Sequence, residues 1–186
     1  MKKYNLSFLI LNIFLVVNLP LKAQINEPDF VGESYLLKTD GSFSQLDKAI
    51  GNFTSGLSFS SNSFNALSLE IDGGKAQARF SSGEPLQLIV RAVDNDSDPL
   101  SIITIYKFKA KKSTRSVLIS KDNSGTLMKS RTSSKDIVLF NGGKKYGTSS
   151  YLITLKGLAT GEYGIIVSNP NSKDEKRVVV SCFAID

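Results

Sequence analysis

The residues of this chain best suited to site chemistry lie in one short acidic stretch, residues 94–99 with the sequence DNDSDP. Carboxylates at the first, third and fifth positions of a tight loop can converge on a hard cation such as calcium. The rest of the EF-hand pattern is missing, because Pro99 and Ile105 stand where that pattern has glycine and glutamate. Two interpretations stay open. One is a polar connection whose carboxylates bond to their own backbone; the other is a calcium site with the ligands Asp94, Asp96 and Asp98.

A second candidate site is basic and lies just downstream. Lysines alternate with Phe108 and Ala110 in this stretch, so they share one face of an extended strand. Such a stripe could bind an anionic ligand, for example lipopolysaccharide phosphates, an acidic polysaccharide or a polyanionic partner. The alternative is an edge or solvated strand whose lysines prevent sheet-to-sheet aggregation. The anionic-ligand patch would comprise Lys107, Lys109, Lys111, Lys112 and Arg115.

Composition excludes several chemistries. The chain has no histidine, which rules out Ser-His-Asp and Cys-His catalysis within it and removes the usual zinc ligand. The one cysteine, Cys182, follows the apolar run 178–180, which predicts a buried core residue; an intermolecular disulfide is the alternative. Carboxylate-only hydrolysis survives this filter, although the glutamates are scattered without pairing. We therefore expect no enzyme activity, and no cofactor other than calcium.

The first 23 residues have the order of a secretory signal peptide. Lys2 and Lys3 precede an apolar run over 8–19, Pro20 ends it, and Ala23 offers a small residue for cleavage. We expect residues 24–186 to be the exported protein, a single β-rich domain in the periplasm, outside the cell or on its surface. The formal net charge of +6 falls to about +3 once Lys2, Lys3 and Lys22 are removed, which argues only weakly for nucleic acid.

The same region bears on membrane attachment. The apolar run is short for a membrane span and no second one follows, so no transmembrane anchor is expected. Gln24, not cysteine, follows the expected cleavage point, so no lipid anchor is expected either.

Alternation of period two recurs along the chain and predicts an all-β fold. Residues 86–93 are apolar at both parities, as in a central strand covered on both sides. Runs 67–71 and 76–80 flank an Asp-Gly-Gly turn and predict one hairpin, and runs 32–38 and 42–48 predict another. About ten short strands of this kind indicate a single Ig-like or prealbumin-like β-sandwich, or alternatively a partly closed β-barrel.

One motif makes this architecture more specific. Residues 155–163 have the pattern L-x-x-L-x-x-G-x-Y and lead into an apolar run. The segment resembles the corner before a late strand in many Ig-like and prealbumin-like sandwiches. That resemblance implies that Gly161 turns the chain and that the Tyr163 hydroxyl is tied back to the backbone.

A wider resemblance covers most of the chain after the leader. The chain is similar to a group of small exported β proteins of Bacteroidetes-type bacteria that have no assigned function. The resemblance implies compartment and fold and carries no site residues. It rests on residues 27–33, 88–95, 98–99, 145–151, 161–163 and 183–186.

Three functions follow from these observations. The first is an exported, non-catalytic module that binds a glycan or an envelope component. The second is a structural or protein-interaction module of the cell envelope, for example one that accepts an added strand at a sheet edge. The third is a carboxylate-dependent hydrolase, which would need two facing carboxylates in a cleft.

Overall fold

The computed structural model describes residues 26–57, 64–124 and 129–186, so the predicted leader lies outside the described residues. The chain is all-β, with 55% of the described residues in strands and 3% in helix. The first seven strands are β1 Ser34–Leu37, β2 Phe43–Gln45, β3 Asp47–Leu57, β4 Phe64–Asp72, β5 Arg79–Phe80, β6 Leu86–Arg91 and β7 Ile103–Ala110. The short helix α1, Pro99–Ile102, precedes β7. The later strands are β8 Thr114–Ser124, β9 Lys129–Ser133, β10 Gly143–Tyr146, β11 Ser150–Leu155, β12 Gly161–Val167 and β13 Arg177–Ile185.

Five antiparallel strands form an open sheet in the order β10-β11-β6-β1-β2. Its middle strand, β6, is the one predicted to be central and covered on both sides; Leu88, Ile89 and Val90 are fully buried, whereas Gln87 is exposed. The predicted hairpin over 32–48 is confirmed, because β1 and β2 pair antiparallel with Leu37 opposite Phe43.

The remaining strands form a barrel. Six of them follow the order β12-β7-β8-β4-β3-β13, and the pairing of β13 with β12 closes the ring. The all-β class is therefore confirmed, whereas a single Ig-like sandwich is not, because the larger sheet closes on itself. Strands β9 and β5 lie outside the ring and pair with β8 and β13 respectively.

Alternation along the barrel strands creates two cores. On β13, Phe183 and Ile185 point out of the barrel, toward Leu88, Ile153 and other apolar side chains of the open sheet. Val180, Cys182 and Ala184 point into the barrel, where apolar side chains from all six strands meet. The open sheet thus packs in a sandwich-like layer on the outer wall of the barrel, and one face of it is left outward.

Cys182 is buried in the barrel core, with 0% of its surface exposed. The prediction that it acts as a small core residue is confirmed. Burial raises the pKa of its thiol to about 11, although the neighbouring Arg115 guanidinium acts in the opposite direction.

The tyrosine corner is also confirmed. The Tyr163 hydroxyl donates to the backbone oxygen of Ala159 at 2.5 Å. Its ring stacks on Phe183, with centroids 5.2 Å apart, so the corner fixes β12 against β13.

The hairpin predicted for 67–71 and 76–80 is wrong. Strand β4 pairs with β3 and β8, and Arg79 and Phe80 pair parallel with β13. Two carboxylates hold the segment away from β4. Glu162 accepts from the Ala76 amide at 2.8 Å, and Asp47 accepts from the amides of Gln77 and Ala78.

Glu162 organises a buried ionic cluster at this end of the barrel. It is 7% exposed and contacts Arg79 Nη1 at 3.1 Å and Arg115 Nη1 at 3.6 Å. Arg115 also donates through Nε to the Gly73 oxygen at 3.0 Å, and Arg79 pairs with Asp186. The cluster holds the 73–79 segment against this end of the barrel, where the Arg79–Asp186 pair is exposed.

We expect Gly164→Ala to destabilise the barrel. A Cβ at this position would lie 2.6 Å from Phe108 Cε2 and 2.7 Å from Val180 Cγ1. Overpacking of this kind costs about 1–3 kcal/mol of the free energy of unfolding, which denaturant titration measures. Gly56→Ala is the matched control, because nothing lies within 4 Å of a Cβ there. Equal stability losses in the two variants would contradict the packing argument.

Candidate functional site

The three aspartates proposed as calcium ligands have separate partners. Asp94 Oδ1 accepts from the Asp96 amide at 3.1 Å, and Asp98 Oδ1 accepts from the Leu100 amide at 2.9 Å, which caps helix α1. Asp96 Oδ1 lies 2.9 Å from Lys145 Nζ. No group of three or more metal-ligating side chains occurs among the residues that the structure describes. The calcium site stays a prediction, since it would need these carboxylates to turn toward one point.

The basic stripe is divided by the structure. Lys109, Lys111 and Lys112 are exposed, whereas Lys107 is half-buried with its Nζ 5.8 Å from the Tyr163 ring centroid. Arg115 does not share this face: it is 4% exposed and lies inside the barrel, because it pairs with Glu162. An anionic-ligand patch on the exposed lysines stays a prediction.

Strand β7 is not an edge. It pairs with β12 along most of its length and with β8 at its end, so the edge-strand interpretation of its lysines is wrong.

The loop between β10 and β11 receives a carboxylate from the start of the described chain. Glu27 accepts from the Thr148 and Ser149 amides at 2.9 and 3.0 Å and from the Thr148 hydroxyl at 2.9 Å. Arg91 Nη1 adds an ion pair at 3.2 Å. Gly147 has φ +58° and a Cβ there would lie 2.2 Å from Glu27 Cδ, so the turn needs glycine to seat the carboxylate.

These donors determine the protonation state of the Glu27 carboxylate. Partial burial opposes ionisation, but the two backbone donors and the hydroxyl donors outweigh it and lower the pKa of Glu27 to about 2. The carboxylate is therefore held as the anion across the physiological range, and it fixes the N-terminal segment to the open sheet.

The same loop does not offer Tyr151 for stacking. Tyr151 is 1% exposed and its hydroxyl donates to the Ser97 oxygen at 2.5 Å, so its ring lies in the core.

The outer surface of the open sheet carries two rows of side chains in register. Because Leu36, Leu88 and Ile153 point into the core, their neighbours along each strand point outward. Residues directly opposite across neighbouring strands lie side by side. We call this surface the open-sheet face. Its first row is Gln45, Tyr35, Ile89, Leu152 and Lys144, and its second row is Phe43, Leu37, Gln87 and Thr154. The first row is covered at its centre, because Ile89 is 0% exposed.

The open-sheet face combines aromatic rings with hydrogen-bonding groups. Tyr35 and Phe43 are half-buried, with ring centroids 6.5 Å apart and planes tilted by 54°. Gln45 and Gln87 are exposed, and Thr154 is half-exposed. Burial, with Asp29 and Glu33 as further causes, raises the pKa of Tyr35, so its phenol stays a hydrogen-bond donor at neutral pH.

A groove of about 450 Å³ runs along one side of this face. Gln87, Leu152 and Thr154 belong to both the groove and the face. The far wall is the segment before β10, in which Leu139 is 89% exposed. Further lining residues are Phe140, Asn141, Gly142, Gly143, Lys144 and Lys156.

A larger groove, of about 690 Å³, lies at the other end of the molecule. Aliphatic side chains line much of it, including Ile50, Val178 and Val179, and exposed Asp174 and Glu175 stand at its border. Polar residues also line this groove, and they include Ser168, Asn169, Ser172 and Arg177.

Sequence reasoning missed the open-sheet face, although part of its signal was present. The predicted hairpin over 32–48 already implied that Tyr35 and Leu37 share a side opposite to Leu36. The insertion of β6 and β11 beside β1 could not be read from local patterns, because these strands come from distant parts of the chain.

We expect Glu27→Gln to lower the free energy of unfolding by about 1–3 kcal/mol at pH 7, because the donors of Thr148, Ser149 and Arg91 would lose an anionic acceptor. The folded pKa of Glu27 is depressed, so its contribution is present above about pH 4.5 and is lost as the pH falls toward 2. Denaturant titrations at several pH values should therefore show the difference between wild type and variant shrinking in that window. Exposed Glu84 supplies the control variant Glu84→Gln. A difference that is the same at pH 7 and pH 2 would refute this assignment.

The calcium hypothesis makes a separate prediction. About 5 mM calcium should raise the thermal midpoint relative to chelator, since that concentration exceeds the dissociation constants of extracellular calcium modules. Asp96→Asn should abolish the rise, and Asp40→Asn, in an exposed turn, should not. An unchanged midpoint in wild type would rule out the site.

Among the described residues, no helix combines the length and the apolar composition needed to cross a membrane. Comparisons with protein-family models, with curated proteins and with solved structures find no match to this chain.

Proposed function

We propose that this chain is an exported, non-catalytic module that binds a glycan on the open-sheet face. The observation that carries the proposal is the placement of the Tyr35 and Phe43 rings beside Gln45, Gln87 and Thr154 on one outward surface. Sugars present apolar C–H faces and rings of hydroxyl groups. Aromatic rings suit the first, and side-chain amides and hydroxyls suit the second.

The scaffold supports this role. The rows lie on a five-stranded sheet whose inner face is packed on the barrel wall, so the side chains of the face are held on a rigid support. As a finer architecture we propose an Ig-like or prealbumin-like sandwich whose second sheet has closed. The confirmed Tyr163 corner supports that relationship.

Catalysis is not part of the proposal. The two buried glutamates, Glu33 and Glu162, are each bound to cations: Glu33 Oε1 lies 2.8 Å from Lys48 Nζ, and Glu162 pairs with Arg79 and Arg115. A hydrolase would instead use such carboxylates against substrate.

A second candidate is an envelope protein-interaction module. The 690 Å³ groove favours it, because Ile50, Val178 and Val179 could receive apolar side chains of a protein segment. In that case variants at Ile50 would change partner binding, whereas variants of the open-sheet face would not.

The test of the glycan proposal is a titration of the isotope-labelled protein with neutral oligosaccharides, including glucose, mannose, xylose and N-acetylglucosamine oligomers. We expect amide shifts on β1, β2, β6 and β11. Gln87→Ala should weaken binding by about 2–10-fold, the cost of a lost hydrogen bond. Phe43→Leu, which keeps an apolar side chain but removes the ring, should weaken it by a similar factor.

Gln77→Ala is the matched control, because Gln77 is exposed but lies beside the barrel. Binding that shifts only barrel residues, or that is equally sensitive to the control, would refute the proposal.

A further inference from the structure

The two ends of the first row differ in charge. Asp29 and Glu33 lie close enough to Tyr35 to raise its pKa, whereas Lys144 stands at the β10 end. The adjoining 450 Å³ groove is lined by Lys144 and Lys156, with no acidic residue among its described lining. Both lysines are exposed.

These two lysines differ from their neighbour in having no anionic partner. Lys145 Nζ lies 2.9 Å from Asp96 Oδ1, on the opposite side of strand β10. Within the described chain, neither Lys144 nor Lys156 forms an ion pair. Among the described residues, the groove therefore carries two positive charges that are not paired with a carboxylate.

Protection of a sheet edge explains the position of Lys144 but not that of Lys156. Lys144 lies on β10, an edge of the open sheet, where lysine discourages pairing with another chain. Lys156 directly follows β11, which is paired on both sides, so it protects no edge. Lys156 is two residues beyond Thr154 and so continues the outward side of that strand.

Leu139 and Phe140 also line the groove and give it apolar surface. The Asn141 amide adds a neutral donor in the same groove.

We infer that the ligand of the open-sheet face is an acidic glycan, with a carboxylate or sulfate group bound between Lys144 and Lys156. This inference rests on the proposed glycan-binding function and adds the charge class of the sugar. Rings and amides of the face bind the uncharged part of the chain, and the two ammonium groups bind the anion.

The experiment compares matched oligosaccharides by calorimetry. A uronic-acid oligomer is set against its carboxyl-reduced neutral form, and a sulfated oligomer against its desulfated form. Wild type should bind at least one acidic form about 10-fold or more tightly than its neutral form, and the stronger pair identifies the anion. High salt should remove that preference, because it screens exposed charges.

The variant Lys144→Gln/Lys156→Gln should lose the preference for the acidic forms over their neutral counterparts. Lys109→Gln/Lys111→Gln is the matched control, since it removes the same charge from the exposed stripe on and beyond β7. Thermal melts establish that both variants are folded.

The outcomes separate the two proposals. If neutral and acidic forms bind equally and Phe43→Leu weakens both, the glycan-binding function stands and the acidic class is wrong. If acidic forms bind but only the control pair abolishes the preference, the anion site is on the β7 stripe and the inference is overturned. If no form binds, or if Phe43→Leu and Gln87→Ala change nothing, the glycan-binding function itself fails.

Discussion

Closure of the barrel by its last strand is the constraint on which the remaining structure depends. Strand β13 pairs with β3 through residues 177–182 and with β12 through residues 180–185, so one strand joins the two ends of the larger sheet. Its alternating side chains then serve two cores, since Phe183 and Ile185 face the open sheet and Val180 and Cys182 fill the barrel. The open sheet is covered on one side by this wall, and on its other side Gln45 and Gln87 are exposed.

The barrel interior also contains charged residues at one end. These residues fix the position of chain segments that have no regular secondary structure and that hydrophobic packing alone would not position. Glu162 satisfies an amide of the 73–79 segment and binds Arg79 and Arg115 at once. Breaking one partner of such a buried set is costly, because it leaves an uncompensated charge. The cluster therefore holds Arg79 and Phe80 beside β13 and keeps Arg115 away from the surface.

Local sequence patterns correctly predicted the features that depend on residues close to each other along the chain. The apolar run of β6, the turn between β1 and β2, the burial of Cys182 and the corner ending at Tyr163 each involve neighbours along the chain or an unmistakable composition. The pairing of residues 76–80 was mispredicted because Asp47 and Glu162, which are distant in sequence, accept hydrogen bonds from the backbone amides of residues 76–78. For the same reason Arg115 could not be separated from the nearby lysines, and the assembly of Tyr35, Phe43 and Gln87 on one face could not be foreseen.

The position of Cys182 has a consequence for how opening of the molecule can be followed. The thiol is enclosed by the barrel, and burial keeps it protonated to about pH 11, so a thiol reagent in solution can attack it only after strands separate. Modification kinetics at this atom therefore report the free energy of local opening, without any introduced label. Because β13 closes the ring, separation of β13 from β12 or β3 would open the barrel.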